Sequence, residues 1–255
     1  MRYQVRDELR PALLGGIVLL AQVVAVTAGP VVAGIAYAAA LLICLELAIT
    51  TALPSTRALL LSVAIIPLVQ LSALVVPGSD LDPALRYLGI TLLGLVAVLV
   101  VAHVTRTRAR ELGLRLRLRD AALTLAMSPG CVSLGLLTAE LVRPVPLLTF
   151  SEPNRVLVPG MALAIGALVE AVLFRGLLQT YAVRVLGPWK GVAYASVLFA
   201  AVSVLFPSPS VLLLALSASV MFGCATLATG SIVPAAVGQL LFNVSLFIVD
   251  PFQGR

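Results

Sequence analysis

The chain has 255 residues, of which 61% are hydrophobic and only 11% charged, with a mean hydropathy of +1.12. A soluble domain of this size has too few polar groups to cover that much apolar surface, which excludes the ordinary soluble enzyme or binding module. The net charge of +6 would suit nucleic acid in a soluble protein, but the basic residues lie between apolar runs. Membrane topology accounts for them there, and no nucleic-acid partner is expected.

The first ten residues carry Arg2, Arg6 and Arg10. No small-residue cleavage site leads from the first apolar run into a soluble domain, so that run is expected to stay as a signal anchor. Runs long enough to cross a bilayer as helices are expected at about 11–28, 31–53, 57–76, 86–104, 121–142, 157–186, 190–206, 210–229 and 231–249. They do not alternate in polarity as barrel strands do, and backbone groups in hydrocarbon must be satisfied within their own segment. The expected fold is all-α, a polytopic membrane helical bundle of eight or nine spans, with the lipid bilayer as its surroundings.

Gly29-Pro30, Pro54, Pro77-Gly78, Gly187-Pro188 and Pro207 mark joints between runs. Pro129-Gly130 falls near the centre of the fifth run, and a kink or break there is the source of the eight-or-nine alternative. The organisation expected is an N-terminal four-span region (1–104), a basic linker (105–120) and a core bundle (121–255). Basic residues concentrate in alternate loops: Arg57, the linker's Arg106, Arg108, Arg110, Arg115, Arg117 and Arg119, then Arg184 and Lys190. Opposite loops carry Asp80, Asp82 and Arg86, or Glu152 and Arg155. This asymmetry predicts a multi-pass protein of the cell membrane with its N-terminus and linker on the cytoplasmic side. The linker could also lie on anionic lipid, though plain retention on the inner side explains its charge. The arginine-over-lysine bias, with Lys190 as the single lysine, points to a GC-rich bacterial or archaeal genome. Cys44, Cys131 and Cys224 lie in or beside apolar runs without metal-ligand spacing; they read as small buried hydrophobes, and neither metal nor other cofactor is expected.

Charges inside spans are costly and tend to be functional. Glu170 and Arg175 stand in the middle of the sixth run, five residues apart, which on an α-helix separates them by about 140° and aims them at different partners. Glu170 reads either as a buried structural acid or as a general base. Gln239 and Asn243 are four apart and share one helical face, where amides commonly bond a neighbouring helix. Ser203 follows Phe199 by four residues. Glu46 is a second intramembrane acid, with Arg175 as a conceivable partner. His103, the only histidine, ends the fourth run and reads as a boundary side chain reaching for the interface.

Taken together these segments resemble the CPBP family, which includes CAAX-type prenyl endopeptidases and bacteriocin-processing proteins and is also called the Abi family. The family's first motif, E-E-x-x-x-R continuing as F-R-G, is similar to Glu170-Ala171-Val172-Leu173-Phe174-Arg175-Gly176, with Ala171 in place of the second Glu. The second, F-x-x-x-H, matches Phe199 to Ser203 with Ser for His; the third, H-x-x-x-N, matches Gln239 to Asn243 with Gln for His. The stretches RELGLRLR at 110–117 and TGSIVPAAVGQLLFN before the third motif also resemble family sequences. In an intact member the resemblance implies that the Glu activates water against a peptide bond, while the histidines and Asn hold the developing oxyanion or bind a metal. Glu170, Arg175, Ser203, Gln239 and Asn243 are therefore the candidate site. Ser, Gln and Asn still donate hydrogen bonds but supply no imidazolium, and zinc favours His, Cys or carboxylate ligands. The expectation is a non-catalytic member that binds a membrane-protein or peptide partner, or a hydrophobic ligand, in the family cavity. The alternative is a divergent intramembrane endopeptidase. A transporter with Glu46 and Glu170 along an ion path is the third class, although no inverted halves are visible.

Overall fold

The computed structural model describes residues 2–76, 82–115, 117–142, 157–203 and 208–247, with side chains from Arg10 onward and excepting that of Ser203. Among the described residues the chain is helical, in nine segments. They are α1 (Arg2–Thr27), α2 (Pro30–Thr50), α3 (Pro54–Val75), α4 (Pro83–Val104), α5 (Leu118–Val142), a composite sixth segment, α8 (Pro188–Ser203), α9 (Pro209–Thr229) and α10 (Val233–Phe247). The sixth consists of α6 (Leu157–Ala171), a π-helical stretch (Val172–Leu178) and α7 (Gln179–Leu186). Seven segments are long and apolar enough to cross a membrane, and α10 is a shorter apolar helix. This is the helical membrane bundle that the composition demands.

Proline sets several of the helix starts. Pro30, Pro54 and Pro209 occupy first positions where no intrahelical N–H bond is lost. At α4 the same arrangement is strengthened by Asp82, whose carboxylate accepts from the N–H groups of Ala84 (2.8 Å) and Leu85 (3.3 Å). Gly187, at φ 87°, ends α7 in a conformation an L-residue rarely adopts, and Pro188 opens α8 directly after it. Pro129 does not break its helix: α5 runs unbroken through it. The joints expected at Pro77-Gly78 and Pro207 and the loop residues Asp80, Glu152 and Arg155 lie outside the described residues.

The helices α1 to α4 pack in sequence, with α3 also touching α7 and the π-helical stretch. In the other half α10 is central, packed against α5, α6 and α9, while α4 closes the far side of α6. Leu14, Leu59, Leu60, Val63, Leu177, Leu178 and Leu198 form one continuous core across both halves. Gln22 ties α1 to its neighbours by accepting from Tyr37 Oη (2.6 Å) and Gln70 Nε2 (3.1 Å); such a polar staple joins helices where lipid gives apolar contacts little preference.

The linker is folded against one end of the bundle. Gly113, at φ 74°, accepts the Ile232 N–H at 3.0 Å, and the Arg115 carbonyl accepts from Ser231 Oγ at 2.6 Å. Leu112 is buried in the main core above Gly176, where an added Cβ would stand 3.0 Å from the Leu112 carbonyl oxygen. The glycine of the F-R-G sequence thus provides the seat for the linker. Arg184 pairs with Glu111 at 2.6 Å, and that hydrogen bond holds the Glu111 carboxyl below the usual carboxylate range. Both side chains are well exposed, so the pair adds little stability.

Candidate functional site

The first motif sits where the helix changes pitch. A π-helical stretch bonds residues five apart and recurs at functional sites. Here it spans Val172–Leu178, directly after Glu170 and across Arg175. Five-residue bonding brings residues five apart toward one face. Glu170 precedes the stretch, so the wider turn narrows the 140° separation expected for an ideal α-helix only in part, and Glu170 and Arg175 both line one small void, together with Ala171, Phe174, Phe199 and Gln239. The void has room for about one water molecule.

Glu170 is partly buried and both of its oxygens are occupied. Tyr87 on α4 donates its hydroxyl to Oε1 at 3.3 Å, and Gln239 on α10 donates from Nε2 to Oε2 at 2.9 Å. Because a carboxylate only accepts, the nitrogen of the Gln239 amide has to face it. The same nitrogen donates to Asn243 Oδ1 at 3.3 Å, one turn on, along the shared face that their spacing predicts. Gln239 and Asn243 are each 5% exposed.

Arg175 faces away from Glu170 in its bonding. It is 2% exposed, donates from Nη1 to Gln179 Oε1 at 3.2 Å and from Nη2 to Ser219 Oγ at 2.5 Å, and lies with its guanidinium carbon 5.5 Å from the Phe199 ring centroid. Gln179 passes the chain on to the Gly223 carbonyl at 2.9 Å, and Phe174 meets Phe199 edge-on at 5.0 Å. A planar cation with an aromatic face and neutral oxygens is a workable way to bury a guanidinium without a carboxylate. Among the described residues the Arg184–Glu111 pair is the one ion pair, so Arg175 is bridged to neither Glu170 nor Glu46. Glu46 is exposed, on the outward apolar face of α2 between Leu42 and Ile49. The pairing of Glu46 with Arg175, conceivable on sequence, is thereby corrected: the two residues point into different surroundings. His103 is exposed in the last turn of α4, away from this cluster.

The structure thus brings together Glu170, Gln239 and Asn243, with Arg175 and Ala171 on the same void. The Phe199 end of the second motif reaches the site; the side chain of Ser203, the last residue of α8, lies outside the described residues. Sequence reading missed Tyr87, Gln179 and Ser219. Gln179 carried a signal, since it follows Arg175 by four residues. Tyr87 had none beyond being a tyrosine in the first turns of a span, where interfacial tyrosines are common. Tyr87→Phe is expected to lower thermal stability by about 0.5–1 kcal/mol, the scale of one interhelical membrane hydrogen bond, measured by unfolding in detergent. No change would mean that α4 is held to α6 by packing alone.

Metal does not fit this donor set. One carboxylate and two amides lack the imidazole or thiolate ligands that zinc favours, and among the described residues no three His, Cys, Asp or Glu side chains converge.

Apolar helices around a carboxylate–amide cluster define a multi-pass membrane protein with a polar site inside its bundle. Residues 152–245 match the family model described as type II CAAX prenyl endopeptidase Rce1-like. Over that stretch, which holds the first and third motifs, the chain is similar to CAAX protease-like membrane proteins. No curated protein and no solved structure gives a significant match to the chain.

Proposed function

We propose that this protein is a non-catalytic member of its family, a pseudoprotease that keeps the helix arrangement and binds a membrane-protein partner or hydrophobic ligand. One observation carries the reading: the acid and the Gln239 nitrogen are already committed to partners within the cluster. Peptide hydrolysis needs a base free to take a proton from water and donors free to meet the oxyanion. Tyr87 spends its hydroxyl proton on Glu170, and the Gln239 nitrogen is engaged by Glu170 and Asn243. The positions that hold imidazoles in the family are Ser203 and Gln239 here, and Ala171 leaves a water-sized void where the second Glu would project. Removal of one oxyanion donor typically costs ~10²–10³ in rate, and here two imidazoles and an acid are replaced. The void is too small for a lipid chain or peptide side chain, so binding there requires its walls to part.

The divergent-endopeptidase reading keeps one point in its favour, a water-sized space beside Glu170. In that mechanism Glu170 takes the proton of the attacking water, and Gln239 and Asn243 hold the oxyanion. Purified protein incubated with prenylated and unprenylated membrane peptides separates the two. We expect no turnover. We also expect Glu170→Gln to fold with a melting temperature within about 3 °C of wild type, since a glutamine accepts the Tyr87 bond through its oxygen and a flip of Gln239 satisfies its nitrogen. Turnover that disappears in Glu170→Gln would establish the endopeptidase instead.

A further inference from the structure

The end of the bundle that bears the linker carries more arginines than acids. Arg106, Arg108, Arg110 and Arg117 are exposed. Of the nearby acids, Glu111 is paired with Arg184, and Asp120 is fully buried, one oxygen accepting the Arg117 N–H at 3.0 Å to cap α5 and the other without a partner among the described residues. None of the four arginines makes a side-chain hydrogen bond or ion pair among the described residues. Apolar side chains are exposed at the same end: Leu114 at 47%, Leu118 at 93%, and Trp189, the only tryptophan of the chain, at 70%. Trp189 follows Arg184 by five residues, and Arg184 is bonded to the linker itself.

A solvated loop would present the arginines but not the leucines and the indole. A soluble acidic partner would meet the charge but would have to dock where the spans enter the bilayer. The combination of guanidinium groups, exposed leucines and an interfacial tryptophan at span ends matches the boundary between headgroups and acyl chains. The linker is also held rigid by the Gly113–Ile232 and Arg115–Ser231 bonds, so little ordering is lost on binding. We propose that this ledge binds the phosphate groups of anionic phospholipids. Arg106, Arg108, Arg110 and Arg117 engage the phosphates, and Leu114, Leu118 and Trp189 sit in the apolar boundary. Guanidinium suits this task because its planar fork meets phosphate oxygens two at a time.

The single tryptophan provides the test. The full chain is reconstituted in bilayers of phosphatidylglycerol and phosphatidylcholine with one lipid brominated at a time, and quenching of Trp189 fluorescence is compared at equal mole fraction. Each arginine near an anionic surface favours binding about fivefold at most. The expected result is at least about a fivefold preference for phosphatidylglycerol next to Trp189, reduced at high salt. The triple variant Arg108→Gln, Arg110→Gln, Arg117→Gln keeps Arg106 and should reduce the preference severalfold while leaving the melting temperature in detergent unchanged, because these side chains bond nothing within the described bundle. Equal quenching by the two lipids in the wild type, or an unchanged preference in the triple variant, would overturn the proposal.

Discussion

Replacing Arg175 by alanine is expected to lower the stability of the bundle by about 3 kcal/mol, read as a fall of about 6–12 °C in melting temperature for a chain of this size. Two effects oppose each other. Removing the guanidinium relieves the cost of keeping a charge at 2% exposure, and that relief alone can make a buried charge replaceable by an apolar side chain. Against it, Gln179 Oε1 and Ser219 Oγ lose their donor, at about 1–3 kcal/mol for each buried group left unpaired. The alanine also enlarges the void beneath Phe199 and strips the ring of its cation. The orphaned acceptors and the cavity outweigh the relief. Methionine isolates the first of them: it refills the volume but offers no donor, so Arg175→Met should lose less than half as much. Equal losses for the two variants would show that hydrogen bonding, not volume, sets the cost. An Arg175→Ala protein as stable as wild type would mean that burial of the charge had cancelled everything its contacts contribute.

Residues whose effect is local could be read from the sequence, and those whose effect depends on a distant helix could not. The helix starts at Pro30 and Pro54 were legible because proline acts through its own φ and its own missing N–H; the start at Pro209 was not, since the joint was expected two residues earlier, at Pro207. Gln239 and Asn243 were legible as a pair because four residues make one helical turn. The Gly187-Pro188 joint was legible for the same local reason. Pro129 shows the limit of that logic, since the tertiary packing of α5 along α10 keeps the helix continuous around a residue that would break it in isolation. The π-helical stretch has no sequence signal of its own. It changed the site most, because it brought Glu170 and Arg175 part of the way from divergent faces toward one void. Tyr87 and Ser219 reach the site from helices 83 and 44 positions away from the residues they bond, and no spacing rule spans that distance. The linker looked like a charged loop because arginine dominates its composition. What seats it is Leu112 against Gly176, a contact between one leucine and a missing side chain.

Gly135→Leu is expected to have the other large effect, at about 3 kcal/mol or more. Gly135 lies on α5 where that helix touches the backbone of α10. A Cβ there would stand 2.6 Å from the Phe242 carbonyl oxygen and 2.7 Å from the Ser245 Cβ, and a carbonyl of a packed helix cannot swing aside as a flexible side chain can. The next turn of the interface is also tight, since a Cβ on Gly238 would meet Cys131 Sγ of α5 at 3.0 Å, besides the Phe222 ring of α9 at 2.7 Å. Small residues let membrane helices approach in this way, and dispersion over the close contact holds them. The leucine must therefore push α10 outward as a body, and α10 carries Gln239 and Asn243. A displacement of about 1 Å takes the 2.9 Å Gln239–Glu170 bond beyond hydrogen-bonding range. Stability and site geometry then fail together, and a double-mutant cycle can register the second failure separately. In the wild type Gln239→Ala should cost about 1 kcal/mol; in the Gly135→Leu background it should cost almost nothing, because the bond it removes is already broken. A full Gln239→Ala cost in that background would mean that α10 had absorbed the leucine without moving its polar face, and the close contact of α5 with α10 would then play no part in positioning the site.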